Sequence, residues 1–232
     1  MSEFGKLFEQ RSQRLLALSR LGRITLDALA FVDAAEVSIF DEHFEFMAKH
    51  IGEHYQNHPK INIPEYRVVA FVDGLTLIAT ISEIESYFQD LIASVVVRYP
   101  SKIGKFTLDL NTLQTFDSIP SAVEYAGRIY AASLMFEKPN TYKKKLLSIL
   151  SAPDDLLQEH WPVFIESKAR RDVGVHNNWF VNEIYKSKVR EVGRSPVESG
   201  TLTVGTDYMN SVRHSCIQIM GVLAKHCHDK FA

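Results

Sequence analysis

Apolar residues recur at three- and four-residue intervals along almost all of this 232-residue chain, the spacing that lines one face of an α-helix. Phe4, Leu7, Phe8, Leu15, Leu18, Leu21 and Ile24 begin the pattern. A second stretch at about 35–55 carries Phe40, Phe44, Met47 and Ile51, and Pro59 and Pro64 break it, because proline is excluded from helix interiors. The longest stretch runs from about Val72 to Tyr99, through Leu75, Ile78, Ile81, Ile84, Tyr87, Phe88, Leu91, Ile92 and Val95, and Pro100 ends it. Residues 101–118 read as a loop with a short helix around Leu108 to Leu113. Helices are expected at about 120–136 and 140–151, divided by Lys138-Pro139-Asn140. Asp154 is expected to cap a helix reaching about Lys168, and helix then continues to about Val192, closed by Gly193-Arg194-Ser195-Pro196. Residues 197–206 suggest a short extended piece, and Asp207 is expected to cap a last helix to about Asp229. The fold class that follows is all-α, a helical bundle.

Composition narrows the partners. The hydrophobic fraction of 46% is ample for a packed core, and the net charge of −2 offers no global attraction to nucleic acid. Any such binding must come from a local patch. Cys216 and Cys227 lie eleven residues apart, three helical turns, so they share a helix face and are too distant to pair with each other. They read as reduced core residues of a cytoplasmic protein. The start, Met1-Ser2-Glu3-Phe4-Gly5-Lys6, carries charge early, and no signal peptide is expected. No apolar run approaches the length of a membrane span, so no membrane partner is expected.

The chemistry concentrates in Arg170-Arg171-Asp172-Val173-Gly174-Val175-His176-Asn177-Asn178. Arg171 supplies a planar fork of donors matched to phosphate oxygens. His176 supplies a group that takes or returns a proton near neutral pH. The bland alternative is an arginine at a helix end and a histidine bonded to a carbonyl. On a straight helix the two side chains point about 140° apart. Gly174 is expected to interrupt the helix and bring them together. The other route is a two-fold axis near the motif, which gathers two arginines and two histidines in one cleft.

This run, with Tyr185 downstream, resembles the Arg-x4-6-His motif of HEPN domains, all-helical modules found in RNA-cleaving toxins and defence proteins. Ile81-Ser82-Glu83-Ile84-Glu85-Ser86-Tyr87-Phe88-Gln89-Asp90-Leu91, ending in Arg98-Tyr99-Pro100, resembles the early helix of the RiboL-PSP-HEPN branch. The resemblance covers about 73–228 and implies a HEPN-like domain at 66–232 behind an N-terminal helical extension at 1–65. It implies a metal-independent endoribonuclease, without cofactor, that acts as a homodimer with a composite site. Arg171 and His176 are the implied catalytic residues, and Arg170, Asp172, Asn177 and Asn178 the supporting or substrate-binding ones. An antitoxin or defence partner belongs to the same implied biology. The chain departs from the pattern at Asp172, where Asn is frequent, and at Gly174, where a bulky residue is usual. The rival is a non-catalytic HEPN-like module that binds nucleotide or RNA, or docks a partner.

The remaining polar residues carry weaker signals. Arg170 is either a second phosphate contact or a solvated charge, and one of Asn177 and Asn178 is expected to cap the following helix. Glu83 and Glu85 are expected on a solvated face, with orientation of Arg171 as the alternative for one of them. Tyr185 is expected in the core. The His50-His54-His58 ladder and His226-Cys227-His228 lack a convincing ligand set, so no metal site is assigned. Lys143-Lys144-Lys145 reads as a solvated face, with guidance of an RNA backbone as the alternative.

Overall fold

A computed structural model describes residues 2–34 and 65–231, and the side chains of 2–22 and 72–231 within them. Its long helices are α1 (Glu3–Ala34) and α2 (Glu65–Arg98), after which comes a 3-10 turn, Pro100–Ile103. Then follow α3 (Leu110–Leu113), α4 (Ile119–Leu134), α5 (Pro139–Ile149), α6 (Trp161–His176), α7 (Glu183–Glu191) and α8 (Thr206–Phe231). Among the described residues the fold is all-α, a helical bundle whose one strand-like feature is an isolated antiparallel bridge between Phe180 and Thr201. No described helix is long and apolar enough to cross a membrane. The expected helix at 35–55, its proline break and the His50-His54-His58 ladder lie outside the described residues.

Helix α2 is the axis of the bundle. Leu77, Ile81, Ile84, Phe88, Leu91 and Val95 form its main stripe, and Tyr87, Ile92 and Val96 extend the buried surface to a second face. A helix apolar on so much of its circumference has to be covered on several sides, and α1, α4, α6 and α8 pack against it. Phe88 stands in an aromatic group with Tyr142, Trp161 and Phe164, the Phe88–Phe164 ring centroids 5.5 Å apart and edge-on. Such pairs add about 0.5–1.5 kcal/mol beyond the area they bury. Where an element packs across the core, polar groups also close: the Tyr87 hydroxyl donates to the Met220 carbonyl at 2.9 Å, tying α2 to α8. The first half of α1 joins this same core through the buried Phe4 and Leu15. Arg11 adds an ionic tie, donating to Glu83 at 2.6 Å and to Asp90.

Local sequence explains most helix ends. Pro100 stops α2 two residues earlier, because the residue before a proline avoids helical geometry. Ser118 caps α4 by accepting from the Ser121 amide, and Pro139 opens α5. Three expectations change. Residues 154–160 form turns, so Asp154 caps no helix, and α6 begins at Trp161 with Pro162 in its first turn. Helix does not run on to Val192: α6 ends at His176 and α7 starts afresh at Glu183, capped by Asn182, whose side chain accepts from the Tyr185 amide at 2.9 Å. Asp207 lies inside the first turn of α8, not at its cap.

Cys216 and Cys227 are both free, both fully buried and both on the inner face of α8. Burial disfavours the thiolate and pushes each thiol up to about 12. Neither should react with iodoacetamide at pH 8 in the native chain. Both should label once the chain is unfolded in urea, as counted by mass spectrometry.

Candidate functional site

Helix α6 runs without a break through Gly174, so Arg171 and His176 stand on one regular helix. Five residues of such a helix separate them by about 140° in direction and about 7.5 Å along the axis. They do not converge within a single chain, contrary to the expectation that Gly174 would kink the segment. Gly174 is small for another reason. A Cβ at that position would lie 2.6 Å from the Trp179 ring, and one at Gly74 on α2 would lie 2.8 Å from it. Real Cβ atoms essentially never approach so closely, so the indole fits only because both helices present glycine. Asn178 and Trp179 adopt φ of 49° and 65°, and this left-handed turn folds the indole back over the helix it has just left. Trp179 thereby packs against the main core and also against the smaller cluster of Ala169, Val173, Tyr185, Val189 and Leu202.

Arg171 faces α2. Its Nη2 donates to Glu85 Oε2 at 2.7 Å, while Lys168, one turn earlier, donates to Glu85 Oε1. Glu85 is only 8% exposed, so it is a buried carboxylate shared by two cations, not part of a solvated face. Glu83 also leaves the solvated role, through its pairing with Arg11. On the outer side, Arg171 Nε lies 3.4 Å from Asp172, and Lys188 of α7 donates to Asp172 at 3.1 Å. The charges alternate along Lys168, Glu85, Arg171, Asp172 and Lys188, leaving one net positive charge. Asp172 is thus neutralised by its neighbours, and among the described residues Arg171 Nη1 has no protein acceptor.

Arg170 is drawn the other way. It pairs with the buried Glu166 at 2.7 Å, donates to the Thr203 carbonyl at 2.5 Å and lies over the Tyr208 ring. Tyr185 and Tyr208 both donate to the same carboxylate, at 3.0 and 2.6 Å. Burial, then the negative charge of Glu166, raises the Tyr208 hydroxyl well above its ordinary value. Arg170 therefore ties α6 to α8 and to the loop before it, and Tyr185 is a core residue. Asn177 ends α6 and donates to the Phe180 carbonyl at 2.6 Å, stabilising the turn behind its own helix, so the following helix takes its cap from Asn182 instead. Asn178 is exposed beside it. His176 is exposed on the last turn of α6, with no hydrogen-bond partner among the described residues. Elsewhere, Lys145 pairs with Glu137, and His226 contacts the Leu150 carbonyl at 3.1 Å. No group of three His, Cys, Asp or Glu residues among those described is placed to hold a metal ion.

The sequence held a signal for the burial of both Glu85 and Lys168. Glu85 falls on the stripe Ile81, Ile84, Phe88, and Lys168 on the stripe Trp161, Phe164, Ile165. A charge at a core position of each of two helices implies that they face one another. No family of known proteins, no curated protein and no solved structure matches this chain.

Two substitutions check this arrangement. Glu85→Gln leaves the buried Lys168 and the partly buried Arg171 without their shared anion, and should cost about 3–5 kcal/mol in urea denaturation. Gly174→Ala gains about 1 kcal/mol in helix propensity but forces the indole aside at a cost of about 1–3 kcal/mol. A net loss of stability is expected, and the variant should be no more stable than wild type by the same measurement.

Proposed function

We propose that the chain is a HEPN-type endoribonuclease, active in the cytoplasm as a homodimer whose site combines Arg171 and His176 from two copies. The observation that carries this reading is the state of the two side chains. Among the described residues, His176 stands exposed and unpartnered at the end of α6, while Arg171 is held by Glu85 with its Nη1 uncommitted. A proton-transfer group must be free, and a phosphate-binding group must be fixed. Their divergence on one helix leaves a second copy to complete the pair.

In this reaction the ribose 2′-oxygen attacks the adjacent phosphorus and His176 accepts its proton. The phosphorus–O5′ bond breaks, and the departing 5′-oxygen takes a proton from His176 of the second copy. Arg171 stabilises the charge that grows on the non-bridging oxygens. The products carry 2′,3′-cyclic phosphate and 5′-hydroxyl ends. DNA, without the 2′-hydroxyl, is not a substrate.

One observation favours a second reading, an RNA- or nucleotide-binding module that does not cut. Both motif arginines already hold carboxylates, Arg170 on Glu166 and Arg171 on Glu85, which lowers the positive potential offered to a phosphate.

Purified chain incubated with single-stranded RNA in EDTA separates the two. The nuclease reading expects cleavage to cyclic phosphate ends, no cleavage of 2′-O-methyl RNA, and a loss of about 10²–10⁴ in rate for His176→Ala with an unchanged circular dichroism spectrum. Products ending in 5′-phosphate, or a His176→Ala variant as active as wild type, would rule it out. RNA that is bound and left intact supports the second reading.

A further inference from the structure

A second polar site lies where α1, α2 and α8 meet, about 18 Å along α2 from Glu85. It is a cavity of about 150 Å³ whose described walls include Leu15 and Ser19 of α1, Asp73 and Thr80 of α2, and Met209 and Arg213 of α8. Asp73 is 7% exposed, and its Oδ2 is buried without a hydrogen-bond partner. Among the described residues no cation pairs with it, and its burial raises the carboxyl above the ordinary value. Buried polar groups in folded chains are almost always satisfied, so an orphaned carboxylate lining a cavity lacks a donor that the described residues do not supply.

The same cavity is lined by a group of complementary charge, Arg213. Its Nη1 donates to Ser19 Oγ and its Nη2 to Asn210 Oδ1 at 2.8 Å, both neutral acceptors. It forms no ion pair with Asp73 or with any other described carboxylate. Among the described residues one cavity thus presents an anion without a cation and a cation without an anion, on different helices and not bonded to each other. Leu15 and Met209 add apolar surface to the same walls.

We propose that this cavity binds a small zwitterion, an amino acid or ω-amino acid, with its ammonium group on Asp73 and its carboxylate on Arg213. An ammonium ion supplies the donors that Asp73 lacks, and a carboxylate suits the guanidinium fork. Size agrees, because a cavity of about 150 Å³ accommodates a molecule like benzene, so the ligand has roughly six to eight non-hydrogen atoms. The site uses neither Arg171 nor His176, and it stands whether or not the chain cuts RNA.

Calorimetric titration and thermal melts of the full chain test it with glycine, β-alanine, γ-aminobutyrate, L-alanine and L-serine as probes. Propylamine and propionate serve as one-charge controls. At least one zwitterion should bind saturably at one per chain and raise the melting temperature. Both controls should bind about tenfold more weakly or worse, since each forfeits a charged hydrogen bond. Asp73→Asn and Arg213→Gln should each weaken the bound zwitterion by a similar factor. Without ligand, Asp73→Asn should melt higher than wild type, because it removes a buried unpaired charge. The inference fails if none of the five probes binds the wild-type chain. It fails equally if propionate binds as tightly as the best zwitterion, which would mark a simple anion site, or if both variants bind as wild type does.

Discussion

A single buried carboxylate, Glu85, decides how α6 lies against the central helix. It takes Lys168 on one oxygen and Arg171 on the other, so two side chains a turn apart are fixed to one point on α2. Two contacts of this kind set both the position of α6 along the axis and its rotation. A charged group taken out of water is tolerated only when such partners surround it. Glu166 does the same work on the other side of α6, gathering Arg170, Tyr185 and Tyr208. The motif helix is therefore held through two carboxylates, Glu85 supplied by α2 and its own Glu166 directed to α7 and α8.

Packing supplies the energy that these ionic contacts do not. The aromatic group around Phe88 joins α2, α5 and α6, and the apolar stripes of α1, α4 and α8 close the rest of the core. Its consequence for the candidate site is rigidity beneath and freedom above. Arg171 rests on a buried base, whereas His176 and the asparagines after it project from the helix end. That division is what a site needs if it is to hold a phosphate firmly and move a proton beside it.

Much of the bundle was legible from local rules. Pro100 and Pro139 mark helix ends because they act on their own backbone or that of near neighbours, and the corresponding boundaries fall within a few residues of expectation. The buried stripe of α2 followed from spacing alone. What escaped was set by partners distant in the chain. Glu85 and Arg171 are 86 residues apart, so their pairing stood only as the alternative to a solvated face, and the fold decides for it. Gly174 looked like a helix breaker because propensity was its one local property. Its true requirement comes from the ring of Trp179, which returns over the helix through a turn that local sequence did not announce. The break between α6 and α7 escaped for the same reason, since Asn177, Asn178 and Asn182 all suit a helix end and only the fold assigns them.

The indole of Trp179 between Gly74 and Gly174 has a consequence for how this chain can vary. The three positions come from different parts of the sequence, yet they share one volume, so none is free to change alone. A lineage that acquires alanine at either glycine must shrink residue 179 or shift α6 relative to α2. A lineage that loses the indole opens a gap joining the two cores. The trio should therefore drift as a unit, and its joint state in any set of related sequences would report whether they keep this same approach of α2 and α6.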